Sequence, residues 1–106
     1  MTFYIKQNDT SPVLQATLKD SSGNVINISG ASARLHIQDY EGSLVLSSAM
    51  EIVDELGGVV KYSWQSGDTS DSGSYYAEIQ VDYADGSTET FPNTGNLPLV
   101  ITRELN

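Results

Sequence analysis

The sequence has no cysteine, few basic residues and no long apolar run, and each shortage excludes a class of protein. Without cysteine the chain cannot hold a disulfide framework, a cysteine-ligated zinc or iron–sulfur site, or a thiol nucleophile. Five Lys and Arg against fourteen Asp and Glu give a formal net charge of −9, which repels phosphate backbones and anionic lipid surfaces. We therefore expect no nucleic acid and no membrane among the partners.

The first ten residues also lack the features of a secretory signal. They contain one lysine, no sustained apolar stretch and no small-residue cleavage site, and nothing elsewhere approaches the roughly 18 apolar residues of a membrane span. At 39% hydrophobic and 18% charged residues, the chain is too apolar to be disordered. We expect residues 1–106 to form a single β-sandwich domain, for the reasons that follow.

What the sequence does contain is alternation of apolar and polar residues, interrupted by turn signals about every 8–12 residues. The clearest run is 75–83, where the odd positions are apolar or aromatic, so that one face is expected to be core and the other solvated. The pattern predicts an all-β, immunoglobulin-like antiparallel β-sandwich of seven to nine strands. The predicted strands are residues 14–19, 25–28, 33–38, 44–46, 60–65, 75–83, 88–91 and 97–102, while residues 49–56 fit either a strand or a helical turn.

Pro98 lies inside the last predicted strand. Proline has no N–H to give to a ladder, so a strand tolerates it at its start, at a bulge or on an edge of the sheet. Residues 97–102 are therefore one candidate for an edge strand, and we expect edge strands to be docking elements through strand addition or side-to-side packing.

Residues 71–77, DSGSYYA, are similar to the Asp-x-Gly-x-Tyr-x-Cys segment of immunoglobulin domains. By this match Tyr75 is the corner tyrosine, whose hydroxyl ties the corner loop, and Ala77 stands in place of the cysteine. Trp64 lies just before this corner and not on an early strand, so an antibody-type domain is not expected. A plain core aromatic that opens a strand fits Tyr75 equally well.

Residues suited to catalysis or metal binding are sparse. His36 is the single histidine, and alternation places it on the outward face of a strand, without the serine elbow or the concavity that a Ser-His-Asp site needs. One histidine without thiolates does not make a zinc site. The pairs Asp68/Asp71 and Asp82/Asp85 do not complete a calcium loop. We expect a non-enzymatic protein with no catalytic residue, no metal and no cofactor.

A binding or assembly module remains. Outward tyrosines supply large contact area at low entropy cost, and the acidic face around Glu78, Gln80 and Asp82 is expected to meet a basic patch on a partner. The candidate interface residues are Tyr4, His36, Tyr40, Tyr76, Glu78 and Asp82.

Three longer motifs cover nearly the whole chain. Residues 5–20 follow I-K-x-x-D-T-x-P-x-L-x-x-x-L-x-D, residues 58–69 follow G-x-V-x-Y-x-W-x-x-G-D-T, and residues 75–92 follow Y-x-A-E-x-x-V-x-Y-x-D-G-x-x-x-x-F-P. Together they resemble the N-terminal domain of phage baseplate upper proteins (BppU type). Their fixed points are typical of a scaffold, and the residues expected to determine the fold are Tyr62, Trp64, Tyr75, Asp85, Gly86, Phe91 and Pro92.

The resemblance implies a structural protein of a phage virion, made in the cytoplasm of the bacterial host. In that family the N-terminal domain joins the baseplate scaffold and a following segment carries receptor-binding proteins, and we expect no such segment in a sequence that ends at residue 106. The expected role is an adaptor that docks on a tail or baseplate protein in multiple symmetry-related copies, and the expected partners are other virion proteins of the tail, baseplate or capsid. Two alternatives stay open: a capsid decoration protein, and a carbohydrate-binding module that stacks host-surface glycans on Tyr40, Tyr76 or Trp64.

Overall fold

The computed structural model describes residues 2–105, which form eight β-strands without a helix. The all-β prediction is confirmed, and the number of strands lies within the predicted range. No helix long and apolar enough to cross a membrane occurs in the described range. The strands are β1 Phe3–Lys6, β2 Leu14–Thr17, β3 Ser32–Asp39, β4 Leu44–Asp54, β5 Val59–Tyr62, β6 Gly73–Asp82, β7 Thr88–Phe91 and β8 Leu97–Thr102.

The strands follow one another in the order β1-β8-β6-β3-β4-β5-β2, and β7 pairs with β6 beyond the end of β8. All of these pairings are antiparallel except that of β1 with β8. The long strand β4 pairs with β3 as far as Met50 and with β5 from Glu51 onward. A strand that changes neighbours along its length turns a corner between two packed layers. The sheet is therefore folded over on itself in a nearly closed, barrel-like form, which is not clearly an immunoglobulin-like sandwich.

The core lies between the two layers of the folded sheet. Leu35, Val81 and Leu99 are fully buried on β3, β6 and β8, and Leu14 and Val60 are fully buried on β2 and β5. Strand alternation explains the arrangement, because successive side chains point to opposite faces. The even-numbered residues of β6 consequently point out of the sheet, and they organise the candidate site described below.

Several segments depart from the predicted strand pattern. The strands predicted at 14–19 and 60–65 end earlier, at Thr17 and Tyr62, so that Trp64 follows β5 and is not part of it. Residues 3–6 form β1, where no strand is predicted, and residues 44–54 form a single strand where a short strand and an ambiguous segment are predicted. The predicted strand at 25–28 is absent: Val25 makes one isolated bridge with Lys19. Residues 25–28 still contribute to the core, because Ile28 is fully buried.

The expectation that residues 97–102 form an edge strand is wrong. β8 lies between β6 and β1, and the end strands of the path are β1 and β2. Pro98 nevertheless has a strand neighbour on one side alone, because it opposes Tyr76 of β6 while the pairing with β1 begins at Leu99. The proline therefore indicates a locally unpaired stretch of an interior strand.

The residues expected to determine the fold lie in an aromatic contact, a corner hydrogen bond, a turn and a strand end. Tyr62 and Trp64 pack edge to face with ring centroids 5.2 Å apart, and the Trp64 indole Nε1 donates to the backbone oxygen of Pro12 at 3.0 Å. The Tyr75 hydroxyl donates to the backbone oxygen of Asp71 at 2.8 Å, as a corner tyrosine does.

The turn between β6 and β7 depends on Asp85 and Gly86. Asp85 Oδ1 accepts hydrogen bonds from the backbone nitrogen and the hydroxyl of Ser87, and Gly86 has a φ of +90°, a conformation that glycine adopts without a Cβ penalty. Phe91 is buried opposite Ile79, whereas Pro92 is exposed at the end of β7.

Candidate docking face

One face of the sheet carries five of the six predicted interface residues. Residues directly opposite one another on paired strands point to the same face, so the register identifies this outer face. Tyr76 opposes Pro98 and Gln38, and Glu78 opposes His36. Tyr4, on β1, and Asp82, at the end of β6, occupy the same face at opposite ends, and the sixth residue, Tyr40, lies in the adjoining turn between β3 and β4. We call this outer face, with Tyr40, the docking face.

The aromatic end of the docking face is a stacked pair of tyrosines. The rings of Tyr40 and Tyr76 lie 4.8 Å apart between centroids and are inclined by 11°. Tyr40 is 66% exposed and Tyr76 is 37% exposed. The turn that presents Tyr40 is fixed by Asp39, whose Oδ1 accepts from the backbone nitrogens of Glu41 and Ser43 at 2.9 Å each. The sequence therefore builds a flat aromatic platform on a constrained turn.

A shallow groove of about 490 Å³ adjoins the stacked pair. It is lined by Asp39, Tyr40, Glu41 and residues 72–75. Negative charge gathers here: the pKa of the Tyr75 hydroxyl is raised first by burial and then by the charges of Asp71 and Asp39. The pKa of Tyr76 is also raised, mainly by its interaction with the Tyr40 hydroxyl.

His36 lies in the middle of the docking face and is only partly exposed. Its neighbours across the strands are Glu78 on β6 and Ser47 on β4. The imidazole Nε2 is enclosed and has no hydrogen-bond partner within residues 2–105. His36 points outward as predicted, but the strands on both sides cover much of it, so it offers less contact surface than the sequence suggests.

The acidic end of the docking face is formed by Glu78 and Asp82, both exposed. Asp82 Oδ1 accepts from the Thr88 hydroxyl at 2.8 Å and from Gln80 Nε2 at 3.3 Å. Arg34 opposes Gln80 across the strands, and its Nη1 lies 3.4 Å from the Ser47 hydroxyl. The carboxylates of the docking face are not neutralised by ion pairs, since the one ion pair found in the described residues joins Lys61 to Glu51.

The structure also provides a second cleft, which is more apolar than the groove. Its volume is about 400 Å³, and it lies between β2 and the connection from β7 to β8. Its lining is largely apolar and includes Leu18, Ile79, Phe91 and Leu97. Among residues 2–105, no three His, Asp or Glu side chains lie close enough together to hold a metal ion. The docking face and this cleft have the features of a contact surface, namely exposed aromatic area, apolar lining and carboxylates without ion-pair partners.

Two contributors to the docking face are missed by sequence reasoning. Leu44, at the start of β4, opposes Gln38 and is 56% exposed, and Val100 opposes Tyr4 on the neighbouring strand. Alternation within each strand gives their direction, but their place beside the tyrosines depends on strand register. Trp64, by contrast, is 4% exposed, so the hypothesis that it stacks a glycan is wrong.

Comparisons with known proteins identify a family and proteins of similar fold. The family model described as the BppU N-terminal domain matches residues 2–96. No curated protein matches the chain. Among solved structures, CopC from Methylosinus trichosporium OB3b is similar with a TM-score of 0.58 at 14% sequence identity, covering 99% of this chain and 87% of that one. At this identity the likeness concerns the fold alone.

Proposed function

The chain belongs to the family of BppU N-terminal domains, a family related to the phage baseplate, and from this premise we propose a non-enzymatic adaptor that docks on other tail or baseplate proteins. The single observation that carries the proposal is the family match over residues 2–96. The protein then resides in the virion, in several symmetry-related copies, after synthesis in the host cytoplasm. We also propose that the fold is related to the immunoglobulin fold. The hydrogen bond from the Tyr75 hydroxyl to the backbone oxygen of Asp71 supports this relation.

The docking face supports this function in physical terms. Tyrosine is among the residues that dominate the energetics of protein interfaces, and Tyr4, Tyr40 and Tyr76 are exposed on or beside one surface. Strands and a constrained turn hold these side chains, so little conformational entropy is lost when a partner covers them. A rigid face with aromatic area suits an adaptor that contributes contacts and no chemistry.

Cryo-electron microscopy of phage particles assembled in cells that make the protein tests the proposal. We expect density for this fold at the tail or baseplate, repeated by the local symmetry, with the docking face turned toward a neighbouring protein. Density on the capsid would replace the adaptor role with decoration. Particles that lack the protein altogether would contradict both roles.

A second candidate function, glycan binding, is favoured by one specific observation. The exposed stack of Tyr40 on Tyr76 borders a groove, an arrangement on which a sugar ring can pack. Glycan-array binding that is lost in Tyr40→Ala and retained in Tyr4→Ala would support this candidate. Binding that is unaffected by Tyr40→Ala, or absent from the array, would exclude it.

A further inference from the structure

The aromatic end of the docking face combines a flat platform with unneutralised negative charge. We propose that the Tyr40–Tyr76 platform and the adjoining acidic groove receive an arginine side chain from a basic loop of a neighbouring virion protein. This inference rests on the proposed adaptor function, and it names the surface and the partner chemistry that the function needs.

The platform fits the shape of a guanidinium group. One face of the Tyr40 ring is covered by Tyr76, and Tyr40 remains 66% exposed, so its other face is open to solvent. Guanidinium is planar and stacks on aromatic faces, where it combines cation–π attraction with planar contact. Because Asp39 fixes the turn through two backbone hydrogen bonds, the ring is positioned before any partner arrives.

The groove supplies the complementary charge. Asp39 and Glu41 line it together with Tyr40, and the chain's five Lys and Arg residues are all absent from that lining. Glu41 is exposed, and its carboxylate takes no part in the one ion pair found within residues 2–105. The raised pKa of Tyr75, to which Asp71 and Asp39 contribute, reports the same negative field at the groove wall. A cation stacked on Tyr40 therefore lies next to carboxylates that have no internal counterion.

The charge distribution also argues against a second copy as the occupant. Each copy carries a net charge of −9, and the docking face continues from the tyrosines to exposed Glu78 and Asp82. Two copies repel each other through their net charge, whereas a basic loop is attracted to the carboxylates of Asp39 and Glu41. Arg34 and Lys6 lie elsewhere on the docking face and do not line this groove. Arginine fits better than lysine because a compact ammonium has no planar surface to stack.

Nuclear magnetic resonance titration of the isotopically labelled full chain tests the inference with peptides of defined chemistry. The probes are acetyl-Gly-Arg-Gly-Arg-Gly-amide and its counterparts with lysine or with citrulline, the neutral analogue of arginine. We expect shifts centred on Tyr40, Glu41 and Tyr76, with the arginine peptide binding about 3–10-fold more tightly than the lysine peptide and the citrulline peptide more weakly still.

Point variants distinguish stacking on the Tyr40–Tyr76 platform from general electrostatic attraction to the acidic protein. Tyr40→Ala should weaken binding of the arginine peptide about fivefold or more, and Glu41→Gln should weaken it by a smaller factor. Both residues are exposed in a turn, so the fold is expected to survive, and the amide spectrum checks this directly. Tyr4→Ala is the matched control, because Tyr4 is an exposed tyrosine of the same face, on the far side of β8 from β6. It should leave the affinity unchanged.

The remaining outcomes overturn the inference. Equal binding of the lysine, citrulline and arginine peptides, shifts centred away from Tyr40, or no shift at all would each do so. A response of Tyr40 and Tyr76 to methyl glucoside without a response to the arginine peptide would favour the glycan candidate. If the arginine site fails while particle density still shows the protein at the tail, the adaptor function stands. If the arginine peptide binds but the protein is absent from particles, the adaptor function falls.

Discussion

At the scale of single residues, tyrosine hydroxyl groups connect loops and neighbouring strands to the core. The Tyr62 hydroxyl donates to Asp68, the Tyr83 hydroxyl donates to Glu89 at 2.7 Å, and the Tyr75 hydroxyl donates to the backbone of Asp71 at 2.8 Å. Each ring packs against the apolar interior while its oxygen reaches a polar segment. Replacement by phenylalanine keeps the ring and removes one hydrogen bond, so the contribution of each bond can be measured.

Tyr75→Phe should lower the free energy of unfolding by about 0.5–1.5 kcal/mol, the usual net value of one hydrogen bond. The loss arises because the corner loop then has no donor for the carbonyl of Asp71. Urea unfolding followed by tryptophan fluorescence measures the change. Tyr4→Phe is the control, since Tyr4 is 62% exposed, and it should shift stability by less than about 0.5 kcal/mol. Equal effects of the two variants would contradict a structural role for the corner bond.

The tyrosines also make stability depend on alkaline pH. Burial first, and then the hydrogen bonds to Asp68 and Glu89, raise the pKa of Tyr62 and of Tyr83 to about 12, above the value of about 10 in an unfolded chain. The folded state holds these protons more tightly, so their contribution to stability is complete below about pH 10 and is lost as the pH rises toward 12. Unfolding in urea at a series of pH values should show this decline.

Tyr62→Phe isolates one of the two groups. The variant has no proton to lose at this position, so its free energy of unfolding should fall less steeply between about pH 10 and 12 than that of the unmodified chain. The stability difference between the two proteins should therefore shrink as the pH rises. A difference that stays constant across this range would show that the Tyr62 hydroxyl titrates alike in the folded and unfolded states.

At the scale of elements, the strands differ in how much of them the sequence reveals. β6 is predicted because Ala77, Ile79 and Val81 alternate with polar residues over a long run. β1 is not predicted: it has four residues, and its parallel partner β8 lies more than 90 positions away in the chain. The sequence also does not reveal that β4 is one continuous strand, because the half that pairs with β5 carries exposed apolar residues such as Val53. Local alternation therefore reveals long strands and leaves short or distant pairings unseen.

The same limit applies to the docking face. Alternation alone gives the outward direction of Tyr76, Glu78 and Asp82 on β6. It does not give the stacking of Tyr40 on Tyr76, which depends on where the β3–β4 turn falls relative to β6. The partial cover over His36 likewise depends on its two neighbouring strands. Register, which long-range packing sets, decides which outward residues become neighbours.

The importance of β1 as an element can be tested at its inward position. Ile5 is 3% exposed and opposes Ile101 of β8, so Ile5→Ala should lower the free energy of unfolding by about 2–5 kcal/mol through lost burial and the cavity that remains. Tyr4→Ala, at the adjacent outward position, should cost less than about 1 kcal/mol. Urea unfolding provides both values. A loss below about 1 kcal/mol for Ile5→Ala would mean that β1 contributes little to the folded core.

At the scale of the whole molecule, the excess of negative charge affects the association of the protein with partners and with other copies of itself. The net charge of −9 is carried by a body about 47 × 25 × 23 Å, so two copies in solution repel over distances comparable to their thickness at low ionic strength. If the proposed adaptor occurs in several copies, a common basic partner would hold them better than contacts between the copies.

Added salt should therefore have opposite effects on binding of the arginine peptide and on self-association. Raising the ionic strength from about 20 mM to about 300 mM shortens the screening length several-fold, so the affinity for the arginine peptide should fall because its attraction to Glu41 and Asp39 is screened. Self-association should rise or stay undetectable, because the repulsion between copies is screened as well. Titration calorimetry and analytical ultracentrifugation measure the two effects, with the citrulline peptide as a salt-insensitive control. An affinity for the arginine peptide that does not change with salt would mean that stacking on Tyr40 acts without the carboxylates. Self-association that weakens with salt would mean that the copies attract each other through opposite charges.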